Sequence, residues 1–204
     1  MTSPATGVRA ERLARAQTFL ARLGRVTSRP GPRSVLRRGL GRPMDHQSGQ
    51  AAFATVIPLV PADDIATDAE RAHIAIACLI ASTTARDQPA AEGQETEAVT
   101  DEAPEESGEA ISAGATSLGR TLALAVNGRF LSQATTQARL HHMCRQDLDG
   151  VLPHLPRLVG RLKAEAVPID WAELLVDLST WNTHRPYIAA RWLRDYHRSL
   201  TTES

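Results

Sequence analysis

The sequence predicts an all-α fold: two helical halves forming a bundle, residues 1–86 and 114–204, joined by a disordered acidic loop, residues 87–113. Three observations predict it. Aromatic residues make up only 4% of the 204 positions, while alanine, leucine and arginine dominate, so the β-branched and aromatic alternation that strands need is missing. Apolar residues recur at helical spacing through most of the chain, with arginines at the intervening positions. Residues 87–113 break that pattern, with nine acids from Asp87 to Glu109, no base and no apolar periodicity.

In the first half, residues 8–24 read as a helix with Leu13, Ala16, Leu20 and Leu23 on one face and Arg12, Arg15 and Arg22 turned away. A short arginine-rich helix follows within Ser28–Asp45. Gly31 and Pro32 suit an N-cap and a first helical position, and Gly39, Gly41 and Pro43 end the helix. A third segment, Gln50 to Ile57, stops at Pro58 and Pro61. Thr67-Asp-Ala-Glu70 has the spacing of a capping box and opens a helix reaching about Arg86. From His73 to Ala81 that helix is apolar nearly all round, the mark of a buried central element.

In the second half, Thr116 or Ser117 caps a helix whose Leu118, Leu122 and Val126 share a face while Arg120 points the other way. Gly119 inside it costs about 1 kcal/mol relative to alanine and so demands a close approach. Helices follow over about Ser132–Arg145 and Pro153–Glu165. The latter buries Leu155, Leu158, Val159 and Leu162 and exposes Arg157, Arg161 and Lys163. Asp170-Trp-Ala-Glu173 starts a helix with a core stripe of Trp171, Leu174, Leu175, Leu178 and Trp181. The last helix, about Arg185–Leu200, sets Ile188, Trp192 and Tyr196 on one side and Arg191, Arg194 and Arg198 on the other. Trp171, Trp181 and Trp192 read as core residues, which leaves few aromatics for stacking on bases.

The formal net charge of zero conceals an asymmetry. Without the nine acids of the loop, 14 acids remain against 23 basic side chains, so the helical part carries about nine positive charges in excess. All but one of those bases are arginines, Lys163 being the only lysine. Arginine offers a planar donor fork suited to phosphate oxygens. The densest run is Arg29, Arg33, Arg37, Arg38 and Arg42, with no acid before Asp45. On a helix Arg33 and Arg37 stand one above the other beside Leu36 and Leu40, and Arg38 points round toward Val35. The plain reading is a solvated helix face; the absence of nearby carboxylates and the preference for arginine favour a phosphate-holding one. The acidic loop reads simply as a solvated linker. A sharper reading has its carboxylates competing with nucleic acid for the arginines; deletion of residues 88–112 tests this, since unchanged affinity and salt dependence would leave it a linker.

Catalytic readings fare poorly. His141 and His142 are adjacent and so point about 100° apart on a helix. His142, Cys144 and Asp147 lack the spacing of a closed zinc site, His46 and Asp45 have no nucleophile beside them, and no glycine-rich phosphate loop is present. No metal, cofactor or catalytic residue is expected. Cys78 and Cys144 form no redox or ligand pattern, Arg9, Arg12 and Arg15 interrupt any apolar leader, and Ile74–Ala81 is too short to span a bilayer, so a cytoplasmic setting is expected.

Several stretches taken in order resemble one family. They are the "LRR"-like segment within Arg33–Arg42, the Ser117-Leu-Gly-Arg-Thr-Leu-Ala123 helix start, Arg139-Leu140, and His154-Leu-Pro-Arg-Leu-Val159. Ile169-Asp170-Trp171 and Trp192-Leu-Arg-Asp-Tyr196 complete the series. Together, over about residues 28–86 and 114–200, the chain resembles the small subunit (the CasB type) of the type I-E CRISPR surveillance complex, Cascade. The resemblance implies a non-catalytic, all-helical subunit present in two copies. It would contact the large and backbone subunits, guide RNA (crRNA) and target DNA including the displaced single strand. Arg37, Arg38 and Arg120 match the family's basic positions, as do Arg139 and Arg145 less closely; Arg33, Arg42, Arg157 and Arg161 extend the set from charge geometry. The loop 87–113 departs from relatives, which tend to be shorter and less acidic there, and this argues against its gripping DNA.

Two rival classes stay open at this point. One is a structural interaction module whose arginines pair with acids on neighbouring subunits. The other is a helical transcription regulator, which would need a recognition helix in a symmetric dimer. Binding of single-stranded DNA and RNA at several salt concentrations separates them.

Overall fold

The structure is a computed structural model that describes residues 4–83 and 116–200, with side chains from residue 7. Ten α-helices and no strands form among the described residues: α1 (Pro4–Thr27), α2 (Pro30–Gly39), α3 (Gln47–Val56), α4 (Asp68–Thr83), α5 (Leu118–Asn127), α6 (Gln133–Arg145), α7 (Leu148–Val151), α8 (Leu155–Ala164), α9 (Trp171–Ser179) and α10 (Trp181–Ser199). The fold is all-α, as the composition and periodicity predict. The expected acidic linker, residues 87–113, lies outside the described residues.

The helix ends follow from local chemistry. Ser117 caps α5 by accepting from Arg120 N, Asp170 caps α9 by accepting from Glu173 N at 3.0 Å, and Asp147 caps α7 through Gly150 N at 2.9 Å. The α4 capping box is shifted by one residue: Thr67 Oγ1 accepts from Ala69 N, but the Glu70 carboxylate reaches back to Ala66 N. The arginine helix opens earlier than its glycine suggests, with Arg29 at the N-cap and Pro30 at the first helical position. It closes at Gly41, which takes a left-handed φ of 67°. His46 serves as a cap: its Nδ1 accepts from Ser48 N at 3.1 Å and starts α3.

Two close approaches set the packing. A β-carbon on Gly39 would overlap Ala52, and one on Gly49 would overlap the Pro43 carbonyl, so α2 and α3 form a tight hairpin. A β-carbon on Gly119 would overlap the Trp192 carbonyl, which lays α5 backbone-close against α10. That contact explains the glycine inside α5. Helix α4 is the buried centre, with Ala72, Ile76, Ala77, Leu79 and Ala81 at most 1% exposed; it packs on α2, α3, α8 and α9. Helix α9 in turn lies against both α1 and α4, so elements from either side of residues 84–115 share one apolar cluster from Ala16 to Tyr196. Polar contacts reinforce the join. Arg71 pairs with Asp68 on its own helix and with Asp149 across at 2.6 Å, while Asn182 accepts from Leu148 N and donates to Asp68.

Trp181 and Trp192 are fully buried with ring centroids 4.7 Å apart, in agreement with their reading as core residues, whereas Trp171 is half-buried. Helix α9 stops at Ser179, so Trp181 opens α10 instead of completing the α9 stripe. A break at His184 (φ −124°, ψ 19°), two residues before Pro186, marks where the regular part of α10 begins.

Candidate nucleic-acid interface

Helix α2 is amphipathic because Leu36 and Gly39 face the core while its cations flank them. Arg37 and Arg38 are exposed and Arg33 is half-buried. Arg33 and Arg37 stand one turn apart on one flank. Arg38 lies on the other, where with Val35, Gln47, Ser48 and Ala51 it lines a groove of about 210 Å³ between α2 and α3. Arg42 is exposed in the turn joining those helices.

The remaining candidate residues sit on three other elements. Arg120 is exposed on α5, one residue after the glycine that meets α10. Arg139 is half-buried and Arg145 exposed on α6, the latter in the last turn, where a cation complements the helix dipole. Arg157 and Arg161 are both exposed one turn apart on α8, because Leu155, Leu158, Val159 and Leu162 take its buried face. Among the described residues Arg37, Arg38, Arg42, Arg120, Arg139, Arg145, Arg157 and Arg161 make no ion pair with a carboxylate. The candidates thus fall into an α2–α3 group, an α8 pair and an α5–α6 group, and α4 is the element that packs against both α2 and α8.

Arginine is not uniformly outward in this protein. Arg191, expected on the outer side of α10, is instead directed inward at two buried carboxylates on α9. Its Nη1 donates to Glu173 Oε2 at 3.2 Å and its Nη2 to Asp177 Oδ1; Arg9 of α1 donates to the same Glu173 Oε2. Burial is the main reason the Asp177 carboxyl is pushed up to about 6, an effect that Arg191, the Trp192 N–H and Arg9 only partly offset. The sequence gives little warning of this cluster, because Glu173 and Asp177 occupy positions on α9 that read as its polar side.

A second cleft of about 290 Å³ opens between α1, the start of α4 and α9, lined by Arg12, Arg15, Asp64, His73 and Ser179 among others. Arg15 there is already paired with Glu11 and Asp63. Among the described residues no group of three His, Cys, Asp or Glu side chains is placed to hold a metal ion, and no helix is long and apolar enough to cross a membrane. Burial raises the Cys78 thiol to about 12 and the Cys144 thiol to about 11, far from a reactive thiolate.

Among curated proteins none matches the chain. Two solved structures resemble it closely. A chain of a "CRISPR RNA-guided surveillance complex" is 34% identical with a TM-score of 0.70, the match covering 93% of this chain and 95% of that one. A chain of a "CRISPR RNA-guided surveillance complex, pre-nicking" is 35% identical with a TM-score of 0.71, covering 92% and 94%. The family model described as CRISPR-associated protein Cse2 matches residues 32–197, which include every arginine of the candidate interface. The chain belongs to the CRISPR-associated Cse2 family.

Proposed function

We propose that this protein is a non-catalytic subunit of a CRISPR RNA-guided surveillance complex, where its arginines hold guide RNA and target DNA, including the displaced strand, by their phosphates. The observation that carries the reading is the set of exposed arginines, Arg37 and Arg38 on α2, Arg120 on α5 and Arg157 and Arg161 on α8, that make no ion pair among the described residues, in a chain whose relatives are parts of such complexes. Opening a duplex against a guide exchanges one set of base pairs for another of similar stability, so contacts to the displaced backbone tip the balance. An array of guanidinium groups slows the return of that strand to its complement without reading its sequence. Two copies of the subunit lengthen the array, and the large and backbone subunits are its protein partners.

The test is co-purification with the other complex subunits and guide RNA, comparing the unaltered chain with Arg37→Glu/Arg38→Glu. The variant keeps its helicity and loses assembly or strand retention. Normal target opening by the variant removes those two residues from the interface. Incubation of the subunit with DNA, RNA and divalent metal gives no cleavage. Full assembly with no single-strand binding at low salt would favour a purely structural interaction module.

A further inference from the structure

We propose that the outer stripe of α10, formed by Tyr187, Arg194 and Arg198, is a further binding surface for single-stranded nucleic acid, in which Tyr187 stacks on a base and the two arginines hold phosphates. It rests on the preceding reading that the chain binds single strands, and adds to it a site with a second kind of contact.

Tyr187 is the most exposed large hydrophobic side chain among the described residues, at 65%. It lies just beyond the break at His184, in the regular part of α10, so helix periodicity fixes what shares its side. Positions seven and eleven residues on fall within a few tens of degrees of it, and these are Arg194 and Arg198, both exposed. The opposite side carries Ile188, Trp192 and Tyr196, all buried. The stripe runs about 16 Å along the helix axis, with the two guanidinium stems about 6 Å apart.

The acids nearby are already engaged. Glu173 and Asp177 are taken up by Arg9 and Arg191, and Asp195 accepts from Ser117 Oγ at 2.6 Å. Neither Arg194 nor Arg198 makes an ion pair among the described residues. One aromatic ring amid unpaired cations suits a nucleotide strand, which offers a π-face and a phosphate in every unit. The centre of a protein interface would instead bring several apolar side chains together, and Ile188 and Trp192 point into the core.

The stripe also continues toward a residue of the first interface. Ser117 bonds Asp195 and Asn127 Nδ2 donates to Ser199 O at 2.8 Å, so one flank of α5 lies along α10. Arg120 projects from that same flank of α5.

The experiment uses the full chain, oligo-dT and oligo-U carrying a single 2-aminopurine, and a salt series. Tyr187→Ala weakens binding about tenfold with an unchanged salt slope and loses the 2-aminopurine emission change, whereas Tyr187→Phe keeps both. Arg194→Gln/Arg198→Gln lowers the log–log salt slope by about 1.4. The DNA and RNA arms show which strand the site prefers. Each variant melts within about 2 °C of the unaltered chain, since all three positions face solvent. If Arg37→Glu/Arg38→Glu binds poorly while all α10 variants bind normally, this proposal is wrong and the general function stands. If the unaltered chain binds neither oligomer at low salt, both fall. Loss of complex assembly with intact strand binding in the α10 arginine variant would make the stripe a protein contact and overturn the proposal.

Discussion

Trp192 donates its indole N–H to Asp177 Oδ2 at 2.6 Å, with both side chains buried to within 1% of full. That bond fixes the pitch of α10 against α9, and Arg191, one residue back, closes on the same carboxylate. Arg9 reaches Glu173 and comes within 3.6 Å of Asp177, so helices α1, α9 and α10 meet at two carboxylates and two guanidinium groups. Removing one member of such a set leaves an uncompensated buried charge. Arg191→Met is expected to cost about 3–5 kcal/mol, read as a fall in Tm of roughly 6–20 °C. Exposed Arg194→Met provides the comparison and should shift Tm by no more than about 2 °C.

The same cluster has a pH signature. Asp177 titrates at about 6 in the folded protein because burial disfavours its charge, and near 4 once unfolded. Between those values the folded state holds the extra proton, so this carboxyl's contribution to stability grows as pH falls from 7 toward 4 and is smallest above 6. Urea melts at pH 5, 6 and 7 should show the unaltered chain gaining stability toward acid relative to Asp177→Asn. Parallel pH profiles would show that the carboxyl has no raised value.

His73 works in the opposite sense. Its ring is 3% exposed, edge-on to Phe19 at 4.5 Å, with Nδ1 2.7 Å from the Ala69 carbonyl. Burial holds its basicity below the usual 6.5, against smaller opposing contributions from the Ala69 carbonyl and Asp64. A depressed histidine must be charged on unfolding, so its contribution is complete above pH 6.5 and declines as pH falls below that. Compared with His73→Gln, the unaltered chain should lose stability between pH 7 and 5. The two single variants therefore bend the pH profile in opposite directions, and melts at three pH values separate them.

Much of the fold was legible because it rests on local rules. Apolar spacing located the long helices, Ser117 and Asp170 announced their caps, and Gly119 signalled a close approach before its partner Trp192 was known. Boundaries set by tertiary packing were less readable. The proline-rich opening of α2 lies two residues earlier than its glycine suggests, and α9 and α10 divide at Thr180, just before Trp181, the last residue of what reads as one stripe. Arg191 reads as solvent-facing because charge patterning assigns a cation to water unless a buried acid is known to face it, and the burial of Glu173 and Asp177 depends on how α1 and α10 pack on α9. The sequence pattern already sets Tyr187 away from Ile188, Trp192 and Tyr196, but that its ring stands 65% exposed depends on how α10 packs. For the candidate interface, sequence could name arginines without local partners but not their grouping, which depends on how α2, α5 and α8 are arranged around α4 and α10.

That grouping leads to a prediction about salt. Arg157 and Arg161 sit one turn apart on α8, Arg37 and Arg38 are adjacent on α2, and both helices pack against α4. If both pairs touch phosphate on one strand, each neutralised pair lowers the log–log salt slope by about 1.4 on single-stranded DNA, because each lost contact releases fewer counterions. Well-separated contacts add, so Arg37→Gln/Arg38→Gln/Arg157→Gln/Arg161→Gln should lower it by about 2.8 without altering the preference for one base sequence over another. The measurement is a fluorescence-polarisation series with a labelled strand longer than 30 nucleotides at four or more salt concentrations. A drop confined to the α2 pair would show that the strand passes α2 alone, and would assign the α8 arginines to a protein partner.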